Sequence, residues 1–342
     1  MEQKRLAEIL DIFPKLRIAV VGDFFLDKWL EIDRSLDEPS VETGLTAYQV
    51  VAKRCYAGAA GTVLSNLAAL EAGELHALGF LGDDGEAYEM IRILNSLGVN
   101  TDALFKSSEV MTPTYTKPVF RREDGIEETN RLDHKNVRLT PGSLEDKIIA
   151  AIWKTAPGVD ALIVLDQLTV EGYGVITPRV REELAGVGER YPKLVLYADS
   201  RAFIGHFKNM IIKCNNMEAA KISGAKSPDQ ETVKKCLLSL AALNNRPVFI
   251  TCGSEGVMVP DKNGQVVLVP GVPLSPGIKI DIVGAGDACT SGIVTTLCAG
   301  GSPEEAAFVG NLVAANTIQV IGTTGTATRS QVLSIYGEYY GK

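Results

Sequence analysis

Asp287 closes a run of small residues, Gly284-Ala285-Gly286, and is followed by Ala288-Cys289-Thr290-Ser291-Gly292. Residues without bulk let successive backbone N–H groups converge on one point. The dipole of a helix starting there adds positive potential. Such a place suits a transferring phosphoryl group, and a carboxylate held there can take a proton from an attacking hydroxyl. The same run reads as a plain helix cap, the commoner use of such turns. Asp281 just upstream and the small residues of the following helix favour phosphate, because close packing around an oxyanion site excludes bulk.

Three further places could serve that chemistry. Asp23 and Asp27 follow the apolar run Arg17–Gly22, at the carboxyl end of an expected buried strand, where ligands of open α/β sheets collect. Asp23 reads equally as a turn or cap residue; a second acid at 27 has no obvious capping role. Asn215-Asn216-Met217-Glu218 reads as a capped helix start, or as a place where Glu218 holds magnesium through water. Thr251-Cys252-Gly253-Ser254-Glu255-Gly256 reads as a hairpin turn on its own. No GxxxxGK[ST], HRD or DFG occurs, which excludes P-loop enzymes and protein kinases, and GDFFLD stands where a dinucleotide fold would carry GxGxxG.

The elements that must position these residues alternate. Helices are expected at 2–12, 62–72, 86–97, 143–155, 175–190, 229–243, 286–299, 303–318 and 328–337. Strands are expected at 17–22, 76–81, 161–165, 194–198, 210–213 and 247–251, with a hairpin of 256–260 and 265–269 about Asp261-Lys262-Asn263-Gly264. This rhythm implies an α/β fold: a doubly wound, mostly parallel sheet with helices on both faces. Two β-prone stretches break it, about 29–56 and 110–134, the second turning at Glu123-Asp124-Gly125. They are expected to form a small β lid that shields the reaction from water. No linker separates domains, so 1–342 reads as a single domain.

The totals fit an enzyme of small molecules. The 342 residues are 46% apolar and 22% charged, with 34 Lys and Arg against 42 Asp and Glu, a formal charge of −8. That balance argues against nucleic acid or an anionic membrane as partner. Six scattered cysteines without a CxxC pair argue against zinc and for a reducing compartment. With no signal-peptide pattern and no apolar run of membrane length, a cytoplasmic protein is expected.

Taken together, Asp281-Ile282-Val283-Gly284-Ala285-Gly286-Asp287, Asn215-x-x-Glu218 and Thr251-x-Gly253-x-x-Gly256 resemble the ribokinase-like (PfkB) family of carbohydrate kinases over nearly the whole chain. The resemblance implies ATP and Mg²⁺ as cofactors, Asp287 as catalytic base, and the backbone of Gly284, Ala285 and Gly286 as anion hole. It implies nucleotide contacts from Asn215, Glu218, Thr251, Gly253, Gly256, Asn311 and Gly322, magnesium held by Glu218 through water, and a K⁺ site at Asp281. Val21-Gly22-Asp23, Leu26-Asp27 and Arg131-Leu132-Asp133 look most like the kinases of heptose 7-phosphate. That similarity implies a sugar or sugar-phosphate substrate held by Asp27, Gly58, Ala59, Thr62, Arg131 and Asp166, and a homodimer formed through the lid.

The chain departs from the family at its sugar end. Gly58-Ala59-Ala60-Gly61-Thr62 replaces GGAGN. Asp166-Gln167-Leu168-Thr169-Val170-Glu171-Gly172 lacks the basic residue of DYxKG, and Asp199-Ser200-Arg201 lacks the usual proline. Two alternatives stay open: a nucleoside kinase using Phe24, Phe25, Trp29, Tyr115 and Phe120 as an apolar wall, and a catalytically silent sugar-binding relative.

Overall fold

A computed structural model describes residues 1–122, 125–261 and 263–341. The expected turn residues Glu123, Asp124 and Lys262 lie outside the described residues.

The chain's first strand, β1 (Arg17–Gly22), runs through the middle of a nine-stranded sheet. On one side of it lie β6 (Glu74–Gly82) and β7 (Asn100–Ser107). On the other lie β11 (Ala161–Asp166), β12 (Val195–Ser200), β13 (Ile211–Asn215) and β14 (Val248–Thr251), all parallel. An antiparallel hairpin, β15 (Gly256–Pro260) and β16 (Val266–Pro270), ends the sheet. The strand order turns back between β1 and β11, which opens a crevice at the carboxyl ends of the strands.

Helices cover both faces: α1 (Gln3–Leu10), α2 (Ala60–Ala69), α3 (Gly85–Ser96), α4 (Gly142–Thr155), α5 (Pro178–Arg190), α6 (Asn216–Ile222), α7 (Gln230–Asn244), α8 (Ala285–Cys298), α9 (Pro303–Thr317) and α10 (Arg329–Tyr340). Alternate residues of β1 face opposite layers. Ile18 and Val20 pack in the layer of α1, α2, α8, α9 and α10, whereas Ala19 and Val21 pack with α4, α5 and α7. That is why the strand is apolar at successive positions: all four side chains are fully buried. Among the described residues no helix is long and apolar enough to cross a membrane.

A second sheet stands over the crevice. Its order is β10 (Leu132–His134), β8 (Thr114–Arg122), β2 (Phe24–Ile32) and β5 (Val50–Ala59), with β9 (Gly125–Glu128) also paired to β8. A two-stranded ribbon, β3 (Glu38–Pro39) with β4 (Thr46–Ala47), sits beyond it. Strand β2 starts one residue after β1, so Asp27 lies on a strand, opposite Tyr56 and Tyr115, and not in a loop. Periodicity missed β2 because both of its faces are partly covered, which mixes Asp27, Lys28 and Glu31 among apolar residues. It missed β7 because an edge strand with polar alternate residues carries little signal. Helix α5 begins three residues later than expected, at Pro178, where Thr177 caps the Val180 amide.

Strand β5 passes into α2 through Ala59, which has φ 53° and ψ −118°. This is glycine territory, and a non-glycine residue there is strained by roughly 1–3 kcal/mol. Ala59→Gly is therefore expected to stabilise the protein by about 1 kcal/mol, after the entropy that glycine adds to the unfolded chain. Urea unfolding should show a higher midpoint at unchanged slope; a lower midpoint would mean that the methyl group's packing outweighs its strain.

Candidate active site

Between the second sheet and the carboxyl edge of the first lies a cleft of ≈ 410 Å³. It brings together residues far apart in the chain: Asp27, Ala59, Thr62 and Arg131 on the lid side, and Asp281, Gly284, Asp287 and Gly322 on the side of α8. Gly58 backs Asp27; a Cβ there would stand 2.6 Å from Asp27 Oδ2. The Asp27 carboxylate pairs with Lys117 at 3.1 Å. Arg131 pairs with Asp133 at 2.5 Å and lies 4.0 Å over the Tyr115 ring, which also stacks on Phe25.

Helix α8 meets the cleft with an uncapped mouth. Gly284 sits at its N-cap with φ 81°, and a Cβ there would come 2.8 Å from Thr324 Cγ2. With no capping side chain, the first-turn amides of Gly286 and Asp287 remain for an outside acceptor, and the helix dipole reinforces them. That cradle fits an anionic phosphate. Asp287 opens onto the cleft but is packed by protein on its other sides, and this burial pushes its pKa up to about 7. The charge of Asp199 adds to the rise, while Lys213 and Arg201 oppose it.

Of the other expected residues, Asn215, Glu218, Thr251, Gly253, Gly256 and Asn311 do not line the cleft. Asn215 and Glu218 form a full capping box: each side chain accepts the other's backbone N–H, both at 2.8 Å. One Glu218 oxygen is thereby engaged, and burial raises its pKa. Among the described residues no group of three His, Cys, Asp or Glu could hold a metal ion. The donor set fits only an ion that keeps its water and phosphate ligands, as Mg²⁺ does. Asp281 pins the turn to the 322 loop, accepting from the Val283 and Gly322 amides, both at 3.1 Å. Thr251, Gly253 and Gly256 form the β14–β15 hairpin connection, and Asn311 ties α9 to Val269 and Pro270 at 3.1 and 3.0 Å.

Asp23 and Asp166 end neighbouring strands and are buried. Asp23 caps no helix; it accepts from the Gln167 and Val175 amides at 2.9 and 2.8 Å and so holds the loop after β11. Asp166 does not face the cleft; it accepts from Ser200 Oγ at 2.7 Å. Burial pushes Asp23 up to about 6 and Asp166 up to about 7, the latter helped by the charge of Asp23.

Sequence reasoning missed Lys117, Gln167, Arg201 and Lys213. Arg201 and Gln167 line the cleft beside Asp287, so a basic residue absent from the 166–172 segment is supplied by the exit of β12. Lys213 pairs with Asp199 at 2.6 Å. Its signal was available: a lone charge inside the apolar run Met210–Cys214 demands a buried partner.

These buried carboxyls bear on stability. Asp166 is raised in the fold, so its stabilising effect is complete below its ordinary value near 3.8 and is lost as pH rises through about 7. Asp166→Asn keeps an acceptor for Ser200 without the buried charge. It should match the parent protein at about pH 4 and exceed it by on the order of 1–2 kcal/mol at about pH 8, read by thermal unfolding. An equal effect at both pH values would contradict a buried titrating carboxyl.

Comparisons with known proteins agree with this geometry. The family model described as pfkB family carbohydrate kinase matches residues 199–329, which hold Asp199 through the α8 mouth and the 322 loop. Bifunctional protein HldE of Citrifermentans bemidjiense is 25% identical over 338 residues, covering 98% of this chain and 66% of that protein. Its counterpart from Trichlorobacter lovleyi is 24% identical, covering 98% and 65%. The chain thus spans just under two thirds of the length of these relatives. Two solved structures share the fold: Arabidopsis thaliana ribokinase complexed with ribose and ATP (17% identity, TM-score 0.66, covering 94% of this chain and 98% of that one) and Escherichia coli phosphofructokinase-2 in complex with substrates and products (14%, 0.70, 95% and 99%). Residues 199–329 thus match the pfkB family of carbohydrate kinases, and the chain as a whole has a ribokinase-like fold with a small β lid and is similar end to end to the HldE proteins.

Proposed function

We propose that the protein transfers the γ-phosphoryl group of ATP to a hydroxyl of a sugar or sugar phosphate, with Asp287 as general base. The observation that carries this reading is the position of Asp287 in the first turn of α8, beside unpartnered amides and at the floor of a cleft roofed by the second sheet. A hydroxyl directed at Asp287 loses its proton to the carboxylate as its oxygen attacks, and the Gly284–Asp287 backbone takes up charge on the moving phosphoryl group. Bound Mg²⁺ would neutralise phosphate charge, with Glu218 holding it through water. Asn215 and the 251–256 connection border the nucleotide side, with Gly322 and Asn311 beyond. Potassium would act on the Asp281 loop.

On the acceptor side, Asp27 is placed to accept from sugar hydroxyls, with Gly58, Ala59 and Thr62 beneath and Arg131 above; Asp166 supports that floor from below. Lys117, Arg131 and Arg201 line the cleft with four carboxylates; Lys117 and Arg131 are paired with Asp27 and Asp133, and Arg201, which has no carboxylate partner among the described residues, supports an anionic acceptor such as a sugar phosphate. The resemblance to heptose 7-phosphate kinases points the same way. A nucleoside kinase is the second reading: of the expected aromatic wall Phe25, Trp29 and Tyr115 line the cleft, whereas Phe24 is in the core and Phe120 packs on Tyr48. A catalytically silent sugar binder is disfavoured by the presence of both Asp287 and Glu218.

We also read residues 1–342 as one kinase domain whose lid is the second sheet, acting in the cytoplasm, where six free thiols stay reduced. Leu45 and Val50 leave the lid 71% and 50% exposed, which supports pairing of two lids in a homodimer.

A screen of hexoses, heptoses, their phosphates and nucleosides, with ADP release read with and without K⁺, tests the activity. Asp287→Asn should lower turnover on the best acceptor by at least about 100-fold while ATP binding by calorimetry is retained. Wild-type turnover in that variant would remove Asp287 as base, and sugar binding without ADP release would favour the silent relative. Sedimentation at micromolar concentration should show a dimer that Val50→Glu dissociates; a monomeric parent protein would defeat the lid pairing.

A further inference from the structure

The buried ion pair beneath the α8 mouth has no evident structural purpose. Lys213 lies mid-strand on β13 and is 7% exposed, with Nζ 2.6 Å from Asp199 Oδ2. An ammonium offers three N–H donors. Among the described residues Asp199 is the only acceptor that Lys213 reaches. Apolar residues of similar size usually stabilise such a position as well as an ion pair does, because two buried charges must be desolvated. The pair is also aimed. A Cβ on Gly286 would stand 3.0 Å from Lys213 Nζ, so the glycine at 286 is what lets the ammonium reach under the turn.

Arg201 lines the same cleft as Asp287. It is exposed and has no carboxylate partner among the described residues. Its charge and that of Lys213 both favour an ionised Asp287, and Asp199 opposes them. Other neighbours do not disturb this balance. Asp166 on β11 is bound to Ser200, and Cys289 on α8 is a buried thiol pushed up to about 11. Helix α2 brings no charged residue, and Glu304 and Glu305 of α9 lie in its first turn, where Arg5 binds Glu305.

We propose that Lys213, held by Asp199 beneath the 284–286 turn, is a positioning residue that keeps Asp287 ready to accept a proton, with Arg201 as its counterpart on the cleft side. The inference rests on Asp287 being the base. In this arrangement Asp199 has two opposed effects: it fixes the ammonium in place, and its own charge makes Asp287 hold a proton more tightly. Removing the lysine and removing the aspartate must therefore move Asp287 in opposite directions, whereas an ion pair whose charges do not reach Asp287 would move it in neither.

The test is a ¹³C NMR titration of the aspartate-labelled protein without ligands, with the Asp287 resonance assigned by its loss in Asp287→Asn. Lys213→Met should raise the Asp287 midpoint by about one pH unit, a tenfold gain in proton affinity, and Asp199→Asn should lower it by a similar amount. Arg201→Gln should raise it, and Lys213→Met/Asp199→Asn should return it towards the parent value. Movement of both single variants in one direction, or of neither by more than about 0.3 units, overturns the proposal. If Lys213→Met does not fold, the surface variant Arg201→Gln and the double variant decide: no rise in the first, or a large displacement in the second, overturns it. Failure of the base assignment shows separately, as turnover retained by Asp287→Asn.

Discussion

How closely α8 can approach the sheet edge decides everything at the cleft. The approach depends on absent side chains. A Cβ on Gly292 would come 2.9 Å from Gly310 Cα, and one on Gly310 would meet Ile293 and Cys289 at 2.9 and 3.0 Å. Helices α8 and α9 therefore pack almost backbone to backbone, and Ser291 Oγ reaches the Val63 carbonyl of α2 at 3.3 Å. Interiors are packed as densely as organic crystals, so a helix seated this way has little freedom to shift. The amides at its mouth inherit that rigidity, which electrostatic stabilisation requires of donors that must not reorganise during reaction.

The same edge collects charge that a stability-optimised fold would avoid. Asp23, Asp166, Asp199 and Lys213 are all at most 9% exposed, on or just beyond four neighbouring strands. Each is satisfied locally: Asp23 by loop amides, Asp166 by Ser200, Asp199 and Lys213 by each other. The cost of desolvating them falls on the whole molecule, and the benefit is confined to one cleft. Buried polar networks of this kind fix a single geometry when every member has a partner.

Much of the fold was legible from periodicity because β1, β11 and β12 are buried on both faces and so read as unbroken apolar runs. The α8 mouth was legible for a related reason: a helix start left uncapped beside a cleft and packed closely on its neighbours is written in small residues, and 284–286 is. The lid side of the cleft was harder to read. Its residues lie on strands whose two faces differ little in burial, so Lys117 carries no positional signature, and Asp27 stands out only as a second acid after the first strand. Arg201 belongs to a strand exit 80 positions before the turn it faces, and nothing local marks where a strand exit points. Asp166 shows the converse: a carboxylate at a strand end, in the right place by sequence, turned inward to Ser200 by its neighbours.

Only Asp23 separates β1 from β2, and Ala59 alone passes β5 into α2. The lid strands β2 and β5 are thus prolongations of core elements, with no loop between that could act as a hinge. Asp23 is also clamped by two amides of the loop beyond β11. Any closure over a bound ligand would then proceed by twisting of the sheet and sliding of β8, β9 and β10, not by a swinging door. One consequence is evolutionary. Cleft residues on β2 and β5 cannot drift independently of those that hold the core, because an insertion in either strand would shift the register of both. Changes of substrate in such a fold should accumulate at β8, β10 and the strand exits, leaving the two welded strands as fixed rails.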